Sequence, residues 1–127
     1  MSFVIRTRDG REIVRGRKML RKRIELLAKF YLELCMICLK PLNGDLTADH
    51  RRPRKMGGSE RDDGYANLVP AHFLCNTQKG SKRMPELLRR CIIVLEKSLA
   101  IPNYLTGQER RTAERLLDDL KEEALKE

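Results

Sequence analysis

The sequence predicts one α+β domain, in which a short metal-stapled centre is framed by a basic hairpin and helix on one side and two helices on the other. Three observations carry that prediction. Two short apolar runs flank Asp9-Gly10, and apolar residues recur at three- and four-residue steps near 17–34, 84–99 and 106–124. Between these helical stretches, 35–80 holds three of the four cysteines and both histidines. At 127 residues the chain suits a single domain with a modest core. Its parts are 1–34 (hairpin and helix), 35–83 (centre) and 84–127 (C-terminal helices).

In chain order, Phe3 to Arg8 and Arg11 to Val14 read as strands, because Asp-Gly suits the positive backbone angles of a type I′ turn. Two strands alone are marginal, so this hairpin must lean on something else. From Arg17 to Leu34, Leu20, Ile24, Leu27, Tyr31 and Leu34 form one apolar stripe opposite Lys18, Arg21, Lys22 and Lys29. Past the centre, Leu88, Cys91, Ile92, Leu95 and Leu99 share one side of a second helix that Pro102 ends. Thr106 with Glu109 three residues on makes a capping-box start for a third, with Ala113, Leu116, Leu117, Leu120 and Ala124 facing inward. The charged, glycine-containing stretch 51–66 is the one long loop, a place where function often sits.

Charge narrows the partner. The chain carries a formal +9 with a sequence pI near 9.7, which favours a polyanion, nucleic acid first. Residues 1–34 hold 10 Lys+Arg against 4 Asp+Glu and residues 35–90 hold 11 against 6, whereas 91–127 reverse to 6 against 8. A polyanion is therefore expected along the first two-thirds, with the C-terminal segment turned away or used for packing, and a protein partner possible through its helix. The longest apolar run, Cys91 to Leu95, is far short of a membrane span, and Arg6, Arg8 and Arg11 interrupt any secretory signal. A cytoplasmic, reducing setting is expected, where four cysteines point to metal rather than to disulfides.

The metal ligands follow from spacing. Cys35-x2-Cys38 can bring both sulfurs to one ion, and His72-x2-Cys75 supplies a second pair, which together make a tetrahedral Cys3His zinc site. Structural zinc contributes on the order of 10 kcal/mol of folding energy in small peptides, which suits a chain with few aromatic residues. Cys91 competes as a fourth ligand, but it sits on an apolar helix stripe and reads as core.

A second constellation is Asp49, His50, Asn67 and Asn76. One carboxylate and one amide oxygen can hold magnesium against a phosphate that completes its shell, and a neutral imidazole nearby can take a proton from water. Alone, an Asp-His pair is a weak signal. In order, however, Cys-x2-Cys, Asp49-His50-x2-Pro53, Gly57-Gly58, Asn67-Leu68 and Cys75-Asn76-x2-Lys79-Gly80 resemble the HNH endonucleases of the ββα-metal superfamily, in the subgroup with a zinc knuckle. The resemblance covers Cys35 to about Lys82. It implies a first strand at 46–51, a second at 68–71 and a helix from about His72. It also implies that His50 is the general base, that Asp49 and Asn76 bind one catalytic divalent ion such as Mg2+, and that Asn67 braces the loop and orients His50. Products would carry 5′-phosphate and 3′-hydroxyl ends. Two departures stand: His72 replaces the usual cysteine of the second zinc pair, and Asn76 replaces the name-giving histidine, which favours harder ions.

Arg51, Arg52, Arg54 and Lys55 on one side of the constellation, Lys79 and Lys82 on the other, and Arg21 and Lys22 of the first helix are the expected contacts to DNA phosphates, with duplex DNA as the partner. The alternative is a zinc-stabilised nucleic-acid-binding module without catalysis. A third reading is an assembly subunit that uses its acidic helix.

Overall fold

A computed structural model describes residues 4–6, 18–51, 64–80 and 84–126, without the side chains of 4–6 and 18–21. Its elements are β1 (Val4–Arg6), α1 (Lys18–Phe30), β2 (Asp45–His50), a 3₁₀ turn (Tyr65–Asn67), β3 (Leu68–Ala71), α2 (Phe73–Lys79), α3 (Glu86–Ala100) and α4 (Gly107–Lys126). Among the described residues no helix is long and apolar enough to cross a membrane.

β2 is the centre of a three-stranded sheet. β3 pairs with it antiparallel, from Thr47 opposite Ala71 to His50 opposite Leu68. β1 pairs with it in parallel, Val4 opposite Asp45 and Arg6 opposite Thr47, so the N-terminal strand leans on the central sheet. The Asp9-Gly10 turn and the second predicted strand, Arg11 to Val14, lie outside the described residues. Along β2 the side chains alternate. Leu46 packs with Ile24 and Ala28 of α1, whereas Thr47 and Asp49 point the other way, toward α2.

Proline in β3 is tolerated for a reason visible in the pairing. Pro70 has no N–H to give, and its carbonyl turns away from β2 to accept from the Met36 N–H at 3.0 Å. That bond ties the turn carrying Cys35 and Cys38 to the sheet. Arg90 of α3 grips the same turn, with Nη1 donating to the Met36 and Ile37 carbonyls at 3.0 and 2.7 Å.

α1 stops at Phe30, four residues before the predicted Leu34, because the chain turns left-handed at Leu32 (φ 58) and Glu33 (φ 56). The Glu33 N–H bonds to the Ala28 carbonyl and Leu32 N–H to that of Lys29, a Schellman closure with leucine where glycine is usual. Left-handed leucine and glutamate cost roughly 1–2 kcal/mol each. The tight reversal offsets that by letting Leu34 bridge to Pro41 and the Leu42 N–H reach the Glu33 carbonyl at 2.9 Å. A second reversal, with Asn43 and Gly44 both at positive φ and the Asp45 N–H bonded to the Leu42 carbonyl, delivers the chain into β2.

The main core joins Leu27, Phe30 and Tyr31 of the α1 end to Leu87, Cys91, Val94 and Leu95 of α3 and Ala113, Leu116 and Leu120 of α4. As expected, Cys91 is core. Leu117 is half-buried and Ala124 is exposed, so the inward stripe of α4 is narrower than its apolar residues suggested. Tyr65 of the 3₁₀ turn stacks edge-on against Phe30, with ring centroids 5.9 Å apart.

The α3–α4 connection is fixed chemically. Ile101 is extended, as a residue before proline must be, and Arg110 donates to the Leu99 carbonyl at 2.9 Å. The capping box forms: the Thr106 N–H donates to Glu109 Oε1 at 2.9 Å and the Glu109 N–H to Thr106 Oγ1 at 3.2 Å. Lys29 of α1 also pairs with Glu109 at 2.8 Å, and its hydrogen bond holds that carboxyl below the usual range despite partial burial. Thr106→Ala removes one half of the box and is expected to lower stability by about 1 kcal/mol in urea titration, with the slope unchanged.

Candidate metal centre and active site

α2 is short, and one face of it carries nearly all the chemistry. His72 at its N-cap, Cys75, Asn76 and Lys79 are spaced at i, i+3, i+4 and i+7, which places them on a single stripe. The first two turn toward the Cys35–Cys38 turn and the last two toward β2. Because the His72 imidazole is committed elsewhere, Asp45 caps the helix from across the sheet, its Oδ2 accepting from the Phe73 N–H at 3.2 Å.

The ligand atoms of Cys35, Cys38, His72 and Cys75 all lie within 4.8 Å of one another, the compactness of a tetrahedral four-ligand shell. His72 Nδ1 is 3.3 Å from Cys38 Sγ and 3.7 Å from Cys75 Sγ. Its Nε2 lies 2.9 Å from the Pro41 carbonyl. A carbonyl only accepts, so Nε2 carries the proton and Nδ1 is left as the metal-facing lone pair. Two backbone N–H groups, those of Cys38 and His72, point at Cys35 Sγ at 3.5 and 3.4 Å.

The thiols divide sharply. Burial works against ionisation of Cys38, but hydrogen bonds from the Lys40 backbone and from Cys35, Cys75 and His72 outweigh it and bring the thiol down to about 7. Burial pushes Cys75 up to about 12, reinforced by the negative field of Cys35 and Cys38. One thiolate forms readily and opposes the next, so the cluster lacks a positive charge that a zinc ion supplies. The Cys3His set is a zinc-binding cluster, with Cys35 buried and two backbone N–H groups directed at its sulfur.

The second constellation lies on the other side of α2. Asn76 is buried, and its Nδ2 donates to Thr47 Oγ1 at 3.2 Å, while that hydroxyl donates to the Ala71 carbonyl at 2.9 Å. The relay fixes the amide orientation and leaves Asn76 Oδ1 buried without a hydrogen-bond partner among the described residues. Asp49 is on the same face of β2 as Thr47, and its Oδ2 lies 2.9 Å from Lys79 Nζ, with both side chains at most 4% exposed. Lys79 also reaches the His50 carbonyl at 3.4 Å. His50 ends β2 and is half-buried. Asn67 is fully buried, and its carbonyl accepts the Arg51 N–H at 2.7 Å, one step beyond the last β2–β3 pair.

The expected DNA contacts fare unevenly. Lys22 is exposed on α1, and the side chain of Arg21 is not among those described. Arg52, Arg54, Lys55, Lys82 and Gly57-Gly58 lie outside the described residues. Lys79 and Arg51, expected to face a phosphate, are buried and ion-paired within the protein, to Asp49 and Glu123 respectively. Thr47 was missed as a site residue, though its place two residues before Asp49 in a strand puts both on one face. Asp45, Arg90 and Glu123 carry no local signal of their roles.

With this geometry in view, residues 35–82 match the family model described as HNH endonuclease. β2, β3 and α2, with the Cys3His cluster against them, are consistent with a ββα-metal core of the HNH kind. Neither the comparison with curated proteins nor that with solved structures finds a match.

Cys75→Ala is expected to abolish stoichiometric zinc in elemental analysis and to drop the melting temperature, whereas Cys91→Ala keeps the metal and loses on the order of 1–2 kcal/mol of packing. Protons compete with zinc for thiolates, so zinc release, followed with a chromogenic chelator, should rise as pH falls.

Proposed function

We propose that the chain is a metal-dependent endonuclease that hydrolyses DNA phosphodiester bonds, duplex DNA in the first instance, and leaves 5′-phosphate and 3′-hydroxyl ends. The HNH match supports the reaction class. The observation that carries the mechanism is Asn76 Oδ1. A buried carbonyl without a donor costs about 1–3 kcal/mol, a liability that binding of a hard cation would remove. Asp49 on the adjoining strand face supplies the negative charge, so the pair suits Mg2+ or a similar ion.

In this reading Asp49 and Asn76 hold the ion, and Thr47 keeps the Asn76 amide turned with oxygen toward it. Bound there, the ion would neutralise charge on the scissile phosphate and its leaving oxygen. His50, as neutral imidazole, accepts a proton from the attacking water. Asn67 braces the chain just beyond His50 through the bond to Arg51 N–H, and Lys79 holds both Asp49 and the His50 carbonyl from below. Zinc contributes no chemistry; it fixes the start of the helix that carries Asn76 and Lys79. The basic first two-thirds of the chain draws DNA in by its phosphates.

One observation favours a second reading, a zinc-stapled binding module: the Lys79 ammonium already balances Asp49. Incubation with supercoiled plasmid and Mg2+, Mn2+ or EDTA separates the two. Wild-type protein should convert plasmid to nicked or linear DNA with either metal and not with EDTA. His50→Ala should bind DNA equally well and cleave about 10²–10⁴ times more slowly. Wild-type binding with no cleavage under any divalent ion would leave the module.

Binding itself is tested at Arg21 and Lys22. Their joint replacement by Ala should weaken affinity equally on unrelated sequences and reduce the slope of log K against log salt, measured by fluorescence anisotropy.

A further inference from the structure

The residue after His50 is anchored more heavily than a loop residue needs. The Arg51 N–H donates to the Asn67 carbonyl at 2.7 Å, and Arg51 Nη2 donates to the Ala66 carbonyl at 3.0 Å. Arg51 Nη1 pairs with the Glu123 carboxylate of α4. The arginine side chain is 3% exposed. Tyr31 of the α1 end and Cys91 of α3 sit within its field: burial raises both, and in each case the Arg51 charge opposes the rise. One guanidinium thus joins the 3₁₀ turn to α4.

The peptide that links His50 to Arg51 is held along both edges. Its carbonyl faces Lys79 Nζ at 3.4 Å, and its N–H is bonded to Asn67. A peptide is planar, so holding both edges fixes its plane, and with β2 holding the N-terminal side of His50 the direction of the Cα–Cβ bond is set, from which the imidazole projects. The guanidinium then prevents that plane from tilting, because its two nitrogens are tied in different directions, to the turn and to α4. A lysine ammonium lacks the rigid planar fork whose separate nitrogens reach these two partners.

We propose that Arg51 and Glu123 are positioning residues that set the imidazole of His50 through this peptide, which makes the C-terminal helix a working part of the active site. The inference rests on the reading of His50 as proton acceptor. Glu123 lies far outside residues 35–82, so the family match gives it no role. Desolvating a guanidinium costs several kcal/mol, and a buried pair is often replaceable by apolar residues without loss of stability. Stability alone therefore does not account for the pair, and orientation does.

The test uses the full-length zinc protein with Glu123→Gln, Arg51→Lys and the apolar double replacement Arg51→Met with Glu123→Leu, which keeps a stable interior if one single change does not. Zinc content and melting curves establish folding. On a duplex substrate with Mg2+, kcat should fall on the order of 10- to 100-fold with KM unchanged. The chain has two histidines, and the His50 imidazole resonance, assigned by its loss in His50→Ala, should shift or broaden in the folded variants while that of His72 stays in place. Wild-type kcat with an unmoved His50 resonance would overturn the proposal. A raised KM with a smaller salt slope would also overturn it, because Arg51 would then be touching DNA. If the wild-type protein does not cleave DNA, the nuclease reading fails by itself, and the His50 resonance still decides whether the pair holds that imidazole.

Discussion

The convergence of three sulfurs and one imidazole nitrogen from two separate turns is the constraint on which the remaining geometry hangs. One turn carries Cys35 and Cys38 and is reached only through the left-handed reversal at Leu32 and Glu33. The other is the N-terminal turn of α2, a helix of seven residues that would not persist in water by propensity alone. Bringing both to one ion fixes where α2 begins and how it is rotated. That rotation turns Asn76 and Lys79 onto β2 rather than into solvent, so the metal centre and the contacts to Thr47 and Asp49 are two outputs of one helical stripe. The Pro70–Met36 bond and the Arg90 grip support the same turn from the sheet and from α3.

Much of this was legible in the sequence because the signals were local. The Cys-x2-Cys and His-x2-Cys spacings identified the four ligands, and the Thr106–Glu109 pair marked the start of α4 to the residue. The strands at 46–51 and 68–71, implied by the family resemblance and not by a local signal, fall within one residue of the observed bounds. Where periodicity alone was used, it overshot. Tyr31 and Leu34 continue the α1 stripe, yet the helix ends at Phe30, because tertiary bonds of Glu33 and Leu34 to the 41–42 segment outweigh the preference for another helical turn.

Charge was the least legible property. A lysine or arginine in a basic chain reads as a surface cation, and for Lys22 that reading holds. Lys79 and Arg51 belong to the same motif region but point inward, because each has a carboxylate waiting: Asp49 thirty residues before the lysine, and Glu123 far beyond the arginine in the sequence. Such pairs depend on how elements dock, and no window of sequence contains both members. Net charge therefore bears on the class of partner to expect and not on which cations would meet it.

The arrangement at Pro70 has one more consequence, which concerns other molecules of the same chain. A three-stranded sheet with β3 on its outside would ordinarily present a row of free donors and acceptors to any extended segment nearby, a standing invitation to intermolecular pairing. Here the donor at Pro70 does not exist and the acceptor is already taken by Met36, so the flank of β3 offers no continuous ladder to copy. The turn that carries the zinc ligands is also the guard that keeps the sheet from templating aggregation on that side.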